Sequence, residues 1–128
     1  MEIETQYNVK LDLVKGDYES FDVVFTDSET GDPFDLTGLT FMFTMNKHNN
    51  DTDDERAVVT LDLPAPEDPT EGILPVNISD DVLEEVDEGV YPFDVQYVDG
   101  DGKPKTVIIG EATVILDVTK RKIPLEEV

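Results

Sequence analysis

The 128-residue chain carries 31 acidic and 9 basic side chains, a formal charge of −22, and no cysteine. This excludes disulfides, thiolate catalysis and Cys-based metal or iron–sulfur sites, and a field of this sign repels nucleic acid and anionic lipid. With 38% apolar residues it is not a disordered polyanion, and no stretch approaches the roughly 18 apolar residues of a spanning helix.

Met1-Glu2-Ile3-Glu4 lacks the basic start and apolar run of a signal peptide. From Asn8 to Val14, Val9, Leu11 and Leu13 alternate with Lys10 and Asp12, the period-two mark of a half-buried strand. Lys15-Gly16-Asp17 reads as a turn. A second strand spans Tyr18 to Thr26, with Phe21, Val23 and Phe25 on one face. Asp27 to Asp35 holds the turn formers Ser28, Gly31 and Pro33. Leu39 to Met45 and Ala57 to Leu63 are the third and fourth strands, separated by a polar loop. Pro64, Pro66 and Pro69 exclude regular pairing in the next segment. Gly72 to Ile78 is a fifth strand whose Pro75 suits a sheet edge or bulge.

Ser79 to Val86 reads as a short helical turn capped by Ser79, with Val82, Leu83 and Val86 inward. Gly89 ends it. In Val90 to Val98, Tyr91, Phe93, Val95 and Tyr97 alternate with Pro92, Asp94 and Gln96. Asp99-Gly100-Asp101-Gly102 is a hairpin turn. Lys105 to Ile109 and Ala112 to Val118 read as two final strands divided by Gly110. The spacing, seven to eight short strands with frequent turns, favours an all-β antiparallel sandwich or a barrel. The expected core is Val9, Leu11, Leu13, Phe21, Val23, Phe25, Phe41, Phe43, Leu61, Ile73, Tyr91, Phe93, Val95, Ile108, Val114 and Leu116.

Catalysis is poorly supplied. The single histidine, His48, lies among Asn and Asp residues of a loop and reads as solvated. With so many acids, chance carboxylate pairs carry no signal for glycosidase chemistry. No catalytic residue, cofactor or metal is assigned. Asp99 and Asp101 are weak calcium candidates, and Asp27, Glu29 and Asp32 form a second cluster; neither reaches the six to eight oxygens that calcium prefers. Five of the nine cations fall in the last 26 residues, including Lys120, Arg121 and Lys122. Together with Ile123 and Leu125 these form the candidate partner contact: cations for an acidic neighbour and an apolar anchor.

Several segments share an order that resembles a known family. Gly31-Asp32-Pro33-Phe34-Asp35-Leu36-Thr37-Gly38 precedes the third strand. Gly89-Val90-Tyr91-Pro92-Phe93-Asp94-Val95-Gln96 and Asp99-Gly100-Asp101-Gly102 follow later. Thr106-Val107-Ile108-Ile109-Gly110 then leads into Val114-Ile115-Leu116-Asp117-Val118-Thr119-Lys120. The order is similar to the immunoglobulin-like domain of tailed-virus structural proteins, notably the N-terminal domain of upper baseplate proteins. The resemblance covers roughly Leu11 to Lys120 and implies an immunoglobulin-like sandwich; the chain reads as a single such domain over residues 1–128, with a core at 8–119 and terminal arms at 1–7 and 120–128. The resemblance further implies a non-enzymatic virion component, assembled in the host cytoplasm, whose partners are other virion proteins and copies of itself. A host-surface glycan- or protein-binding module, with a surface receptor as partner, and a capsid-decorating protein are the alternatives. Nucleic acid and membrane are not expected partners.

Overall fold

The computed structural model describes residues 5–47 and 57–116. Within them, period-two alternation produces seven strands: β1 (Gln6–Val14), β2 (Glu19–Val24), β3 (Thr40–Asn46), β4 (Ala57–Leu63), β5 (Ile73–Ile78), β6 (Gly89–Val98) and β7 (Pro104–Ile115). They form a five-stranded sheet in the order β1-β7-β6-β3-β4, faced by the two-stranded sheet β2-β5. All pairings are antiparallel except β1 with β7, which is parallel. The first strand thus joins the last, closing an immunoglobulin-like Greek key.

The core fills the space between the sheets. Phe43 stacks on Phe93 at 5.3 Å and Phe25 on Phe41 at 5.6 Å, with Tyr97 edge-on to Phe41. Of the residues expected inside, Leu13, Phe25, Phe41, Phe43, Phe93, Val95, Ile108 and Val114 are buried. Val9, Leu11, Phe21, Val23, Leu61 and Tyr91 pack against them partly buried. Leu116 is half-buried just past β7. One face was inverted: Ile73 is only half-buried, while Leu74, Val76 and Ile78 point inward. The alternation signals this, since the other face of β5 carries Pro75 and the exposed Asn77.

Three further readings change. The two final strands are one strand, β7, which runs through Gly110. Its irregularity lies earlier: Val95 pairs with Ile108 but Gln96 with Thr106, so Val107 and Ile108 both turn inward at a bulge. Gly110 is needed for a different reason. A Cβ there would lie 1.9 Å from the Val9 carbonyl oxygen and 2.9 Å from the Phe93 ring. β1 presses onto β7 at this point, between its register break at Gln6/Val9 and the regular pairing beyond, and Asn8 takes φ 62 to allow the break.

Ser79 to Val86 forms successive four-residue turns, not a helix: Ser79, Asp81 and Leu83 carbonyls accept from the Val82, Glu84 and Val86 amides. Ser79 does not cap; its hydroxyl donates to Asp81 Oδ1 at 2.6 Å. Six acids in the ten residues from Ser79 to Glu88 repel one another at helical spacing. Leu83 and Val86 are nevertheless buried as expected, and Val82 packs partly buried against them. The only helical element among the described residues is a single 3-10 turn at Pro69–Glu71, capped by Asp68.

Candidate interaction surfaces

The acidic turns are built for conformation. Asp99 Oδ1 accepts from the amides of Asp101 and Lys103, both at 2.9 Å, while its own amide and carbonyl close the hairpin with Lys103 and Gly102. Such bonds fix the turn between β6 and β7. Asp27 is buried, takes the Glu29 amide on its carboxylate, and bonds through its backbone to Asp32 and Gly31. Glu29 and Asp32 stay exposed. Among the described residues no group of three or more His, Cys, Asp or Glu side chains is arranged to hold a metal ion.

The Asp35-Leu36-Thr37-Gly38 corner forms as its sequence dictates. Asp35 Oδ1 accepts from the Thr37 amide at 3.0 Å and the Thr37 hydroxyl at 2.6 Å, and Gly38 takes φ 81. The hydroxyl and then the amide hold the exposed Asp35 carboxyl below its ordinary range. Asp68-Pro69-Thr70 repeats the device at 2.5 and 3.1 Å. The Leu36 amide donates to the Pro69 carbonyl at 2.9 Å, tying the corners together beside the core.

Two surfaces remain for a partner. The first is the solvent face of the β6–β7 hairpin, where Val90 is 57% exposed and Ile109 and Ile115 are each 40% exposed. Their places follow from register. Val90 pairs with Thr113 and Asp94 with Ile109, on the face opposite Phe93 and Val95. Lys10 reaches across from β1 to bond Glu111 at 2.8 Å, a largely exposed ion pair of small energetic worth. Asp94 sits half-buried between its cross-strand neighbours Ile109 and Thr44, and burial pushes its carboxyl above the ordinary range. At the start of β6, the Tyr91 hydroxyl donates to the Asp87 carbonyl at 2.6 Å, and burial, then the Asp87 charge, raises its pKa.

The second surface is the side of the sandwich between β1 and β2, where an apolar cleft of about 290 Å3 opens. Tyr7 and Tyr18 are 65% and 63% exposed nearby. They stand at opposite ends of β1, too far apart to form one stacking platform for a sugar.

The sequence-derived contact residues Lys120, Arg121, Lys122, Ile123 and Leu125 lie outside the described residues, as does His48. Of the remaining late cations, Lys103 and Lys105 are exposed at the β6–β7 hairpin. Sequence reasoning missed the outer hairpin face. The signal was partial: alternation in β6 leaves Val90 on the solvent side, while in β7 the bulge at Val107 and Ile108 interrupts the alternation just before Ile109 and Ile115.

A model of the BppU N-terminal domain, the N-terminal domain of baseplate upper proteins, matches residues 2–107. The chain belongs to this family. Membership makes it a tailed-phage baseplate domain, located in the virion. The match ends inside β7, before Ile109 and Ile115. No curated protein matches the chain. Among solved structures, it is similar to the N-terminal domain of phage TP901-1 ORF48, at 19% identity over 91% of this chain and 96% of that one, with a TM-score of 0.43. The PmoD soluble domain from Methylocystis sp. ATCC 49242 (Rockwell) gives 11% identity over 80% and 76%, at 0.45. Murine CRIg gives 12% over 91% and 98%, at 0.41.

No helix among the described residues is long and apolar enough to cross a membrane.

Proposed function

We propose that the chain is a non-enzymatic structural component of the tail or baseplate that acts through protein–protein contacts, with the solvent face of the β6–β7 hairpin as its principal contact surface. The observation that carries this reading is the exposure of Val90, Ile109 and Ile115 on one face of paired strands. Scattered apolar side chains on a surface are ordinary. Here three fall on the outer face of a single hairpin, Ile109 beside the half-buried Asp94 and Val90 with Ile115 toward the other end, beyond Glu111 and Thr113, in a strongly acidic protein. Apolar residues grouped on a surface are the usual core of a protein interface, with polar residues as its rim. The Asp-x-Thr corners and the hairpin turn use their carboxylates to hold loops, which suits a rigid building block.

The test is a double substitution, Ile109→Lys with Ile115→Lys. Both positions face solvent, so the melting temperature should stay close to that of the parent. Phage carrying the variant should yield particles depleted of this protein by mass-spectrometric composition. Full incorporation would discard this face as the contact.

A further inference from the structure

The outer face of the five-stranded sheet carries little charge for a chain at −22. Among the described residues, only Asp12, Glu19, Asp22, Asp62, Asp94 and Glu111 are acids within strands; the others sit in turns and loops. The three central strands hold two of them: β3 has none, and β6 and β7 have one each. Register shows what faces outward there. Ile109, Asp94 and Thr44 form one row across β7, β6 and β3, and Thr113 with Val90 forms another, farther from the hairpin turn.

The polar groups of this face are largely satisfied within it. Glu111 accepts from Lys10 at 2.8 Å, which cancels its charge. Gln96 donates to the Thr106 hydroxyl at 3.2 Å. Asp94 is the one central acid without a cation beside it in the register, and burial already disfavours its charged form. No aromatic ring points outward from the three strands, so a sugar has nothing to stack on.

We propose, resting on the contact surface assigned above, that this face packs against the same face of a second copy across a two-fold axis. Charge selects the partner. A basic partner would gain most at the acidic turns and little at an almost uncharged sheet. A second copy, itself at −22, is repelled by those turns and can approach closely only where acids are scarce. By symmetry it brings an equally uncharged face to the contact, and the acidic turns of both copies stay at the rim. Size suffices as well. Five strands about 4.8 Å apart, each about seven residues long at about 3.4 Å per residue, make a face of about 24 by 24 Å. Side-chain relief adds to its accessible area, so two such faces bury more than the roughly 1,000 Å2 in total that a specific interface needs. Two sheets stacked face to face interdigitate their side chains, and Val90, Ile109 and Ile115, at 57%, 40% and 40% exposure, supply the apolar relief.

Sedimentation of the full chain, from micromolar to millimolar concentration, in dilute buffer and in molar sodium chloride, tests this. A monomer–dimer equilibrium should appear and tighten with salt, because ions screen the repulsion between two acidic chains. A dimer that weakens in salt would be held by opposite charges and would overturn the proposal. Ile109→Glu should weaken the dimer by about tenfold or more. Val24→Glu adds the same charge at a 64% exposed position of β2, on the other sheet, and should leave the dimer unchanged. Equal weakening by both would overturn the assignment of the face. Concentration-dependent amide shifts should fall on β7, β6 and β3; shifts confined to β2 and β5 would overturn it too. A chain that stays monomeric throughout would end the proposal. Loss of the Ile109→Lys, Ile115→Lys variant from particles would then leave the contact surface standing, with an unlike protein as its partner.

Discussion

The two faces of the β6–β7 hairpin share one backbone and have opposite tasks. Inward, Phe93, Val95, Ile108, Ala112 and Val114 are buried against β3 and the opposing sheet. Outward, Val90, Asp94, Ile109 and Ile115 meet solvent fully or in part. Apolar residues occupy both faces, so composition does not separate them; the presence of a second sheet on one side does. The inner face tolerates little change because every side chain there has neighbours that cannot collapse around a void. The outer face is free to vary unless a partner covers it.

The largest expected effect therefore lies inside. Phe93→Ala removes a ring stacked on Phe43 and should cost about 3–5 kcal/mol in chemical denaturation. A loss no greater than that of Ile109→Ala, which should stay within about 0.5 kcal/mol, would erase the contrast between the faces. Next comes Gly110→Ala, which should cost about 1–3 kcal/mol. Its added methyl meets the Val9 carbonyl, so amide-exchange protection should fall in β1 while β6 and β3 keep theirs. Unchanged β1 protection would mean that the two strands are not in tight contact.

Asp94 sharpens the comparison from the outside, with a smaller effect. Its carboxyl is raised above 3.8 by burial, so ionising it is harder in the folded than in the unfolded chain. Below 3.8 both states hold the proton and the group contributes nothing. As pH rises through the interval above 3.8 the unfolded state ionises first, and stability falls until the folded group has ionised too. Asp94→Asn should therefore raise the melting temperature at pH 7 and leave it unchanged near pH 3. An equal shift at both pH values would assign the effect to something other than charge.

Much of the fold was legible in the sequence because alternation is local. Seven strands, the Asp35-Leu36-Thr37-Gly38 corner and the Asp99 hairpin turn are set by residues within a few positions of one another. The candidate contact surface was less legible. Val90, Ile109 and Ile115 stood out only once the inner face of their strands was known, and the cations at Lys120 to Lys122 drew attention instead. Gly110 shows the same limit. Its sequence context suggests a bend between two strands, yet the strand runs on through it and the glycine makes room for β1, about 100 residues earlier in the chain.

The sequence by itself determined that this protein is a cysteine-free acidic sandwich of short strands, because period-two patterning and turn chemistry act over a few residues. Tertiary structure alone decided which strands became neighbours. The parallel union of β1 with β7, the merging of the last two strands into one, and the cleft between β1 and β2 all depend on pairings distant in sequence. Local patterning fixes which face of a strand is apolar. It does not fix what lies opposite that face, and the opposing partner determines whether an apolar residue becomes core, cleft wall or contact surface.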